Sequence, residues 1–289
     1  MSTALARIDR SVHGATRMTP VPRMTLPCAL QSEAARFVRS PLALVHLICA
    51  FTGGIACGAY FAYAPWDPAF GADAYVQLLG ALMPLMASIV CGLNVDEERR
   101  AGRLANLTGA PSRAAAITAK AIVLWLAGAI ALLLAVGIFA GALALAGRLA
   151  LGLDTLMFSV AGLALGSTPL YLLFLAVALR TGRNAAIGVG AAGLGIGLFS
   201  VGGLAHGLMT GELTAATGGV LGLIPFAWPA RLGSLAVEAG IAQMTGTVRV
   251  AAVTSLALGL TIAAATLAAA GFVALIAWFN RFEGDRDDA

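Results

Sequence analysis

The side chains that most often carry chemistry are few in this sequence, and their spacing assembles no reaction centre. His46 and His206 lie far apart at the margins of apolar runs, and no Cys, Asp or Glu is spaced to complete a metal site beside either. Cys28, Cys49, Cys57 and Cys91 show no paired or metal-ligand spacing and read as small apolar packing residues. Gly188, Gly190 and Gly193 spell G-x-G-x-x-G, but inside an apolar run with no preceding strand. The dinucleotide reading therefore fails. No Ser-His-Asp set, HExxH, CxxC or Walker motif is visible, so hydrolase and kinase chemistry have no residues to act through.

One stretch remains that could do work on a partner. Residues 96–120, DEERRAGRLANLTGAPSRAAAITAK, hold Asp96, Glu97, Glu98, Arg99, Arg100, Arg103, Arg113 and Lys120 between two long apolar runs. Five of these eight charges are basic, which favours the cytoplasmic side of a membrane. Glu97 to Leu107 are expected to continue the preceding span as a helix, with Leu104 and Leu107 forming a small cytosol-facing apolar patch flanked by Arg100 and Arg103. Thr108 to Pro111 is expected to stop that helix on a left-handed Gly109, and Ser112 to cap the next one.

The elements that position this stretch follow from composition. The chain is 60% hydrophobic and 11% charged, with a mean hydropathy of +0.90. Soluble domains carry about 25% charged residues, so most of this chain faces lipid or itself. The balance of 18 bases against 14 acids is too small to argue for nucleic acid. Six spans are expected near 42–64, 75–95, 115–147, 155–179, 184–205 and 250–279. Counted by loop, 15 Lys and Arg fall on one side and three (Arg148, Arg231, Arg249) on the other, which predicts both termini in the cytoplasm. The loop over 65–74, with two aspartates and no base, suits the outer face, with Tyr60, Tyr63, Trp66 and Tyr75 as an aromatic belt.

Residues 1–27 lack an apolar core and are expected to form a disordered cytoplasmic arm, with Met18 and Met24 as alternative starts. Residues 28–40 are expected to form an amphipathic interfacial helix with Leu30, Ala34, Phe37 and Val38 on its apolar face. Residues 28–280 would then be the transmembrane domain and 281–289 a cytoplasmic tail. Gly54 and Gly58, and Gly190, Gly193 and Gly197, give smooth faces for close helix packing. Between the last two spans, 206–249 is apolar but broken by Pro225 and Pro229 around Trp228 and Arg231. A re-entrant pair of half-helices and a surface loop are both open readings. Spans three to six show no mid-depth Asp, Glu or Arg, which argues against an ion-coupled carrier.

The pattern E-E-x-x-A-G-x-L-x-N-L-x-x-x-P-x-R-x(6)-K resembles the first cytoplasmic loop of ABC-2 type transport permeases. Glu97, Glu98, Gly102, Leu104, Leu107, Pro111, Arg113 and Lys120 fill its places. The resemblance implies an all-α membrane protein of six helices with an elbow helix and a re-entrant segment before the last span. Within that superfamily the chain is most similar to lantibiotic- and bacteriocin-immunity permease subunits, on its size and on IPFAWPARL at 224–232. The resemblance further implies a non-enzymatic half-transporter in the cell membrane, with a second copy or a related permease beside it. A separate P-loop ATPase, using ATP and Mg, would dock on Glu97, Glu98, Arg100, Gly102, Arg103, Leu104, Leu107, Pro111 and Arg113. The implied cargo is a peptide expelled for self-protection, the alternative cargo a drug, lipid or polysaccharide. An ATPase-independent carrier or membrane scaffold is the reading from a different class.

Overall fold

Proline and short polar side chains punctuate the apolar sequence into helices. The computed structural model describes residues 24–200, 206–216, 219–246 and 250–282, and among them every regular element is helical. Helix α1 (Leu26–Arg39) opens with a proline in its first turn, and Ser40 then caps α2 (Pro41–Tyr63) by accepting the Leu42 N–H at 3.2 Å. Asp67 caps α3 (Pro68–Gly102) by accepting the Ala69 and Phe70 N–H groups at 2.8 and 3.2 Å. A single turn, α4 (Ala105–Thr108), precedes α5 (Arg113–Leu145), which Ser112 caps through the Ala115 N–H. Then follow α6 (Leu153–Thr181), α7 (Arg183–Ser200), the short α8 (His206–Thr210), two 3-10 turns (Val220–Leu223 and Pro225–Ala227), α9 (Trp228–Thr245) and α10 (Val250–Asn280).

Among the described residues five helices, α2, α3, α5, α6 and α10, are long and apolar enough to cross a membrane. At 1.5 Å per residue α3 and α5 reach about 50 Å, well past a hydrocarbon core of about 30 Å, so both project from one face. α7 is described over 18 residues and falls outside those five; the rest of the expected fifth span, 201–205, lies outside the described residues. So do most of the expected N-terminal arm and residues 283–289 of the tail.

The bundle is built around α3 and α6, whose apolar windows are each 61% buried, against 28% for α2 and 17% for α10. Lipid gives no hydrophobic drive for helices to associate, so close packing of small residues has to supply it. α9 wedges between α3 and α6, where its backbone at Trp228–Ala230 lies against Gly80 and Gly166. A Cβ on Gly166 would come within 2.7 Å of the Pro229 nitrogen. α7 lies along α3, with Gly190 against Ser88, Gly193 against Pro84 and Phe226, and Gly197 against Ala81. α2 lies along α5, with Gly54 against Ala135 and Ile138 and Gly58 against Ala142.

Three sequence expectations are corrected here. α3 begins at Pro68, so Asp73 is not in an outer loop but in the second turn of a span, 2% exposed. Tyr75 is not at an interface; it is buried and stacks on Phe139 at a ring separation of 4.2 Å. The inward face of α1 is Ala29, Glu33 and Phe37, whereas Ala34 and Val38 are exposed.

Adding a methyl group at Gly80 would overlap the Ala230 backbone, whereas Gly188 has open space around it. Gly80→Ala is therefore expected to lower the melting temperature in detergent by about 3–10 °C, a typical overpacking cost. Gly188→Ala is expected to leave it unchanged or raise it. A thermal-shift comparison of the two variants checks this.

Candidate functional site at the charged end of the bundle

Where α3 and α5 project from the membrane-spanning part, a lysine is buried without contact with water. Lys120, in the second turn of α5, is 0% exposed. Its ammonium donates to Glu33 Oε1 at 2.6 Å, Asn94 Oδ1 at 2.6 Å and Glu98 Oε1 at 3.1 Å, using all three donors. Arg36 of α1 pairs with Glu98 and lies 3.6 Å from Glu33 Oε2, and Asn106 donates to Glu98 Oε2 at 3.4 Å. Two cations and two carboxylates balance. They come from α1, α3 and α5, with Asn106 added by α4, so one neutral cluster ties four elements. Removing a single member of such a cluster leaves an uncompensated buried charge, at a cost of about 3–5 kcal/mol.

The remaining charges of 96–113 tie the other helices to the same point. Asp96 accepts from Arg100 at 2.8 Å and from Arg183, the first residue of α7, at 3.0 Å. Arg99 donates to the carbonyls of Leu179 (2.7 Å) and Ala178 (3.4 Å) at the end of α6, where a cation suits the negative end of the helix dipole. Arg113 donates through Nε to Thr108 O at 2.8 Å and through Nη1 to Phe282 O at 2.9 Å and Asn280 O at 3.3 Å.

The chain reverses earlier than expected. α3 stops at Gly102, and Arg103 and Leu104 both adopt left-handed backbone, φ 50° and 65°. Neither is glycine, and each such residue costs about 1–2 kcal/mol. Burial of the Leu104 side chain, 0% exposed, opposes that cost. Gly109 is right-handed, so it is not the expected left-handed cap. Leu104 and Leu107 (3% exposed) point into the bundle, which corrects the expectation that they face the cytosol. Glu97, Arg100, Gly102, Arg103, Asn106 and Pro111 remain exposed and form a polar knuckle at the tip.

At the far end, a second polar cluster holds α9. Asp73 accepts from the Ser234 hydroxyl and from Gln77 at 2.8 Å, and Gln77 also donates to Thr214 at 2.8 Å. Glu238 accepts the Ala215 and Ala216 N–H groups at 2.7 and 3.0 Å. Arg231 donates to Ala215 O and Gly222 O at 2.8 and 2.9 Å. Arg231 is 2% exposed, so it acts here on its own backbone rather than on solvent. Trp228 donates to Leu223 O at 3.2 Å, and Pro229 is buried; Pro225 opens the second 3-10 turn.

The family model described as "ABC-2 family transporter protein" matches residues 29–196, more than half of the 289 residues. The chain belongs to the ABC-2 transporter family. Neither curated proteins nor solved structures yield a match. The matched segment of this ABC-2 protein runs from α1 into α7 and contains every residue of the Lys120 cluster.

Sequence reasoning missed Glu33 and Asn94 as partners of Lys120, and Arg36 as the second cation of the cluster. The signal was there: Lys120 stands within the apolar run AITAKAIVLWLAG, and an ionisable group in a span needs a named partner. The far cluster is not legible in the sequence because Asp73 falls in a segment that reads as a loop and the partners of Glu238 are backbone N–H groups 22 and 23 residues away.

Burying a carboxylate at position 104 would cost several kcal/mol, while position 103 is open to solvent. Leu104→Asp is therefore expected to lower the melting temperature of this ABC-2 permease by about 5 °C or more, and Arg103→Asp to shift it by no more than about 2 °C. Thermal melts of both variants in detergent test this placement.

Proposed function

We propose that this chain is the membrane-spanning permease subunit of an ATP-driven exporter, and that a separate ABC ATPase docks on the knuckle formed by Glu97, Arg100, Gly102, Arg103, Asn106 and Pro111. One observation carries the reading: α1, α3, α5, α6, α7 and α10 are all tied by hydrogen bonds or ion pairs to residues 94–120, and the tip of that stretch is exposed. A push on the tip reaches every one of those helices.

In this reading the charged end faces the cytoplasm of a cell membrane, as the distribution of Lys and Arg supports. The domain spans 28–280 and both termini are cytoplasmic. α1 serves as the elbow helix, α7 supplies the lower part of a fifth span, and α8 to α9 form the re-entrant segment. Two permease subunits, identical or related, sit on two ATPase copies, and ATP and Mg bind the ATPase. The proposed cargo is an amphiphilic peptide of the lantibiotic or bacteriocin class, supported by the sequence resemblance at 224–232. Since Leu104, Leu107 and Arg113 are engaged inside the chain, they support the knuckle from behind and the exposed residues make the contact.

The double variant Arg100→Glu/Arg103→Glu reverses two exposed charges and should cut recovery of a co-expressed ABC ATPase at least tenfold, about 1.4 kcal/mol, in mild-detergent purification. Membrane insertion and melting temperature should stay near those of the unaltered chain. Full retention of the ATPase would overturn the docking surface.

A further inference from the structure

Of the five long apolar helices the last is the least buried, yet its end is tethered at the charged end. Only 17% of the apolar window of α10 is buried, against 61% for α3 and α6. Along its length only Val253, Leu260, Ala264, Leu275 and Phe279 are buried. At the charged end the situation changes. Trp278, Phe279 and Phe282 form an aromatic cluster, with ring separations of 5.0 Å for Trp278–Phe282 and 5.9 Å for Phe279–Phe282. After α10 the chain tightens into a 3-10-type turn, with Arg281 N–H and Phe282 N–H bonding to Trp278 O and Phe279 O.

At that turn the carbonyls of Asn280 and Phe282 accept from Arg113. The same guanidinium takes Thr108 O, the last carbonyl of α4. One planar, rigid group thus bridges the end of the loop turn and the end of the last span, and it does so from the first residue of α5. An arginine can do this because its donors are fixed in a fork, whereas a lysine ammonium is a single point that cannot reach two separated carbonyl groups with the same geometry.

We propose that Arg113 is a positioning residue that makes α10 follow the loop. Displacement of α4 is transmitted to the charged end of α10 through this guanidinium, and the loosely packed remainder of α10 moves with it. Thr108 O cannot separate from the α10 terminus without breaking charge-assisted bonds, so the two ends move together. The role rests on the docking of an ATPase at the knuckle. It differs from a docking role for Arg113 itself, because its bonds are to the chain's own carbonyls.

Hydrogen–deuterium exchange on the full complex with its ATPase separates the two. In the unaltered complex, trapping with ATP and vanadate should change exchange in both 104–109 and 276–282. Arg113→Ala should keep the ATPase bound and keep the change at 104–109 while losing the change at 276–282; Arg113→Lys should retain part of it. A nucleotide response at 276–282 that persists in Arg113→Ala overturns the proposal. If 104–109 of the unaltered complex does not respond while ATP is hydrolysed, the docking assignment fails instead. The chain without ATPase then decides the bridge alone: Arg113→Ala should raise exchange in both 104–109 and 278–282, and a rise in only one segment overturns it.

Discussion

A lysine ammonium shut away from water must be matched by carboxylates in fixed positions, and the charged end of this protein is arranged around that requirement. Lys120 is placed by α5, Glu33 by α1, and Asn94 and Glu98 by α3. Each helix must therefore hold its height and rotation to within a hydrogen bond of the others. Arg36 supplies the second positive charge that leaves the cluster neutral. An apolar core of the same volume would hold three helices at least as strongly. What the ion cluster adds is a defined register between the interfacial helix and two spans, which apolar side chains facing lipid on one side and each other on the other would fix less sharply.

The rest of the charged end follows from the same economy of polar groups. Asp96, Arg99 and Arg113 each meet a group at the end of another helix: the Arg183 side chain of α7, the last carbonyls of α6, and those of α10. Helix ends carry unsatisfied carbonyls, and at the edge of a membrane a tethered arginine satisfies them better than scattered water. The left-handed pair Arg103–Leu104 turns the chain so that Leu104 and Leu107 are buried in the bundle. Buried loop residues join the spans, and Arg100, Gly102, Arg103 and Asn106 are left exposed at the tip.

The start at Pro41 and the cap at Ser112 are legible because they rest on local rules, proline tolerance in a first turn and a hydroxyl before a helical run. The start at Pro68, by contrast, lies inside a segment that reads as a loop. The polar loop is legible as a hub because no other segment between two apolar runs concentrates charge so densely. What stayed hidden depends on contacts distant in sequence. Glu33 and Lys120 lie 87 residues apart, and nothing in either neighbourhood names the other. The burial of Leu104 is not legible because two consecutive left-handed residues of ordinary type have no sequence signature, and Gly109 points to a later turn. At the far end, Asp73 was lost to the assumption that a carboxylate marks the end of a span. Its partner Ser234, 161 residues away, is what lets it be buried.

The central claim is that Lys120 and its carboxylates form one coupled unit that holds α1 to the spans. The most direct measurement is a double-mutant cycle on melting temperature with Lys120→Met, Glu33→Gln and the two combined. Each single variant leaves a charge imbalance and should destabilise. The double variant leaves the neutral Arg36–Glu98 pair, so it should lose clearly less than the sum of the singles, a coupling of about 1–3 kcal/mol. Additive losses, or single variants as stable as the unaltered chain, would contradict the account.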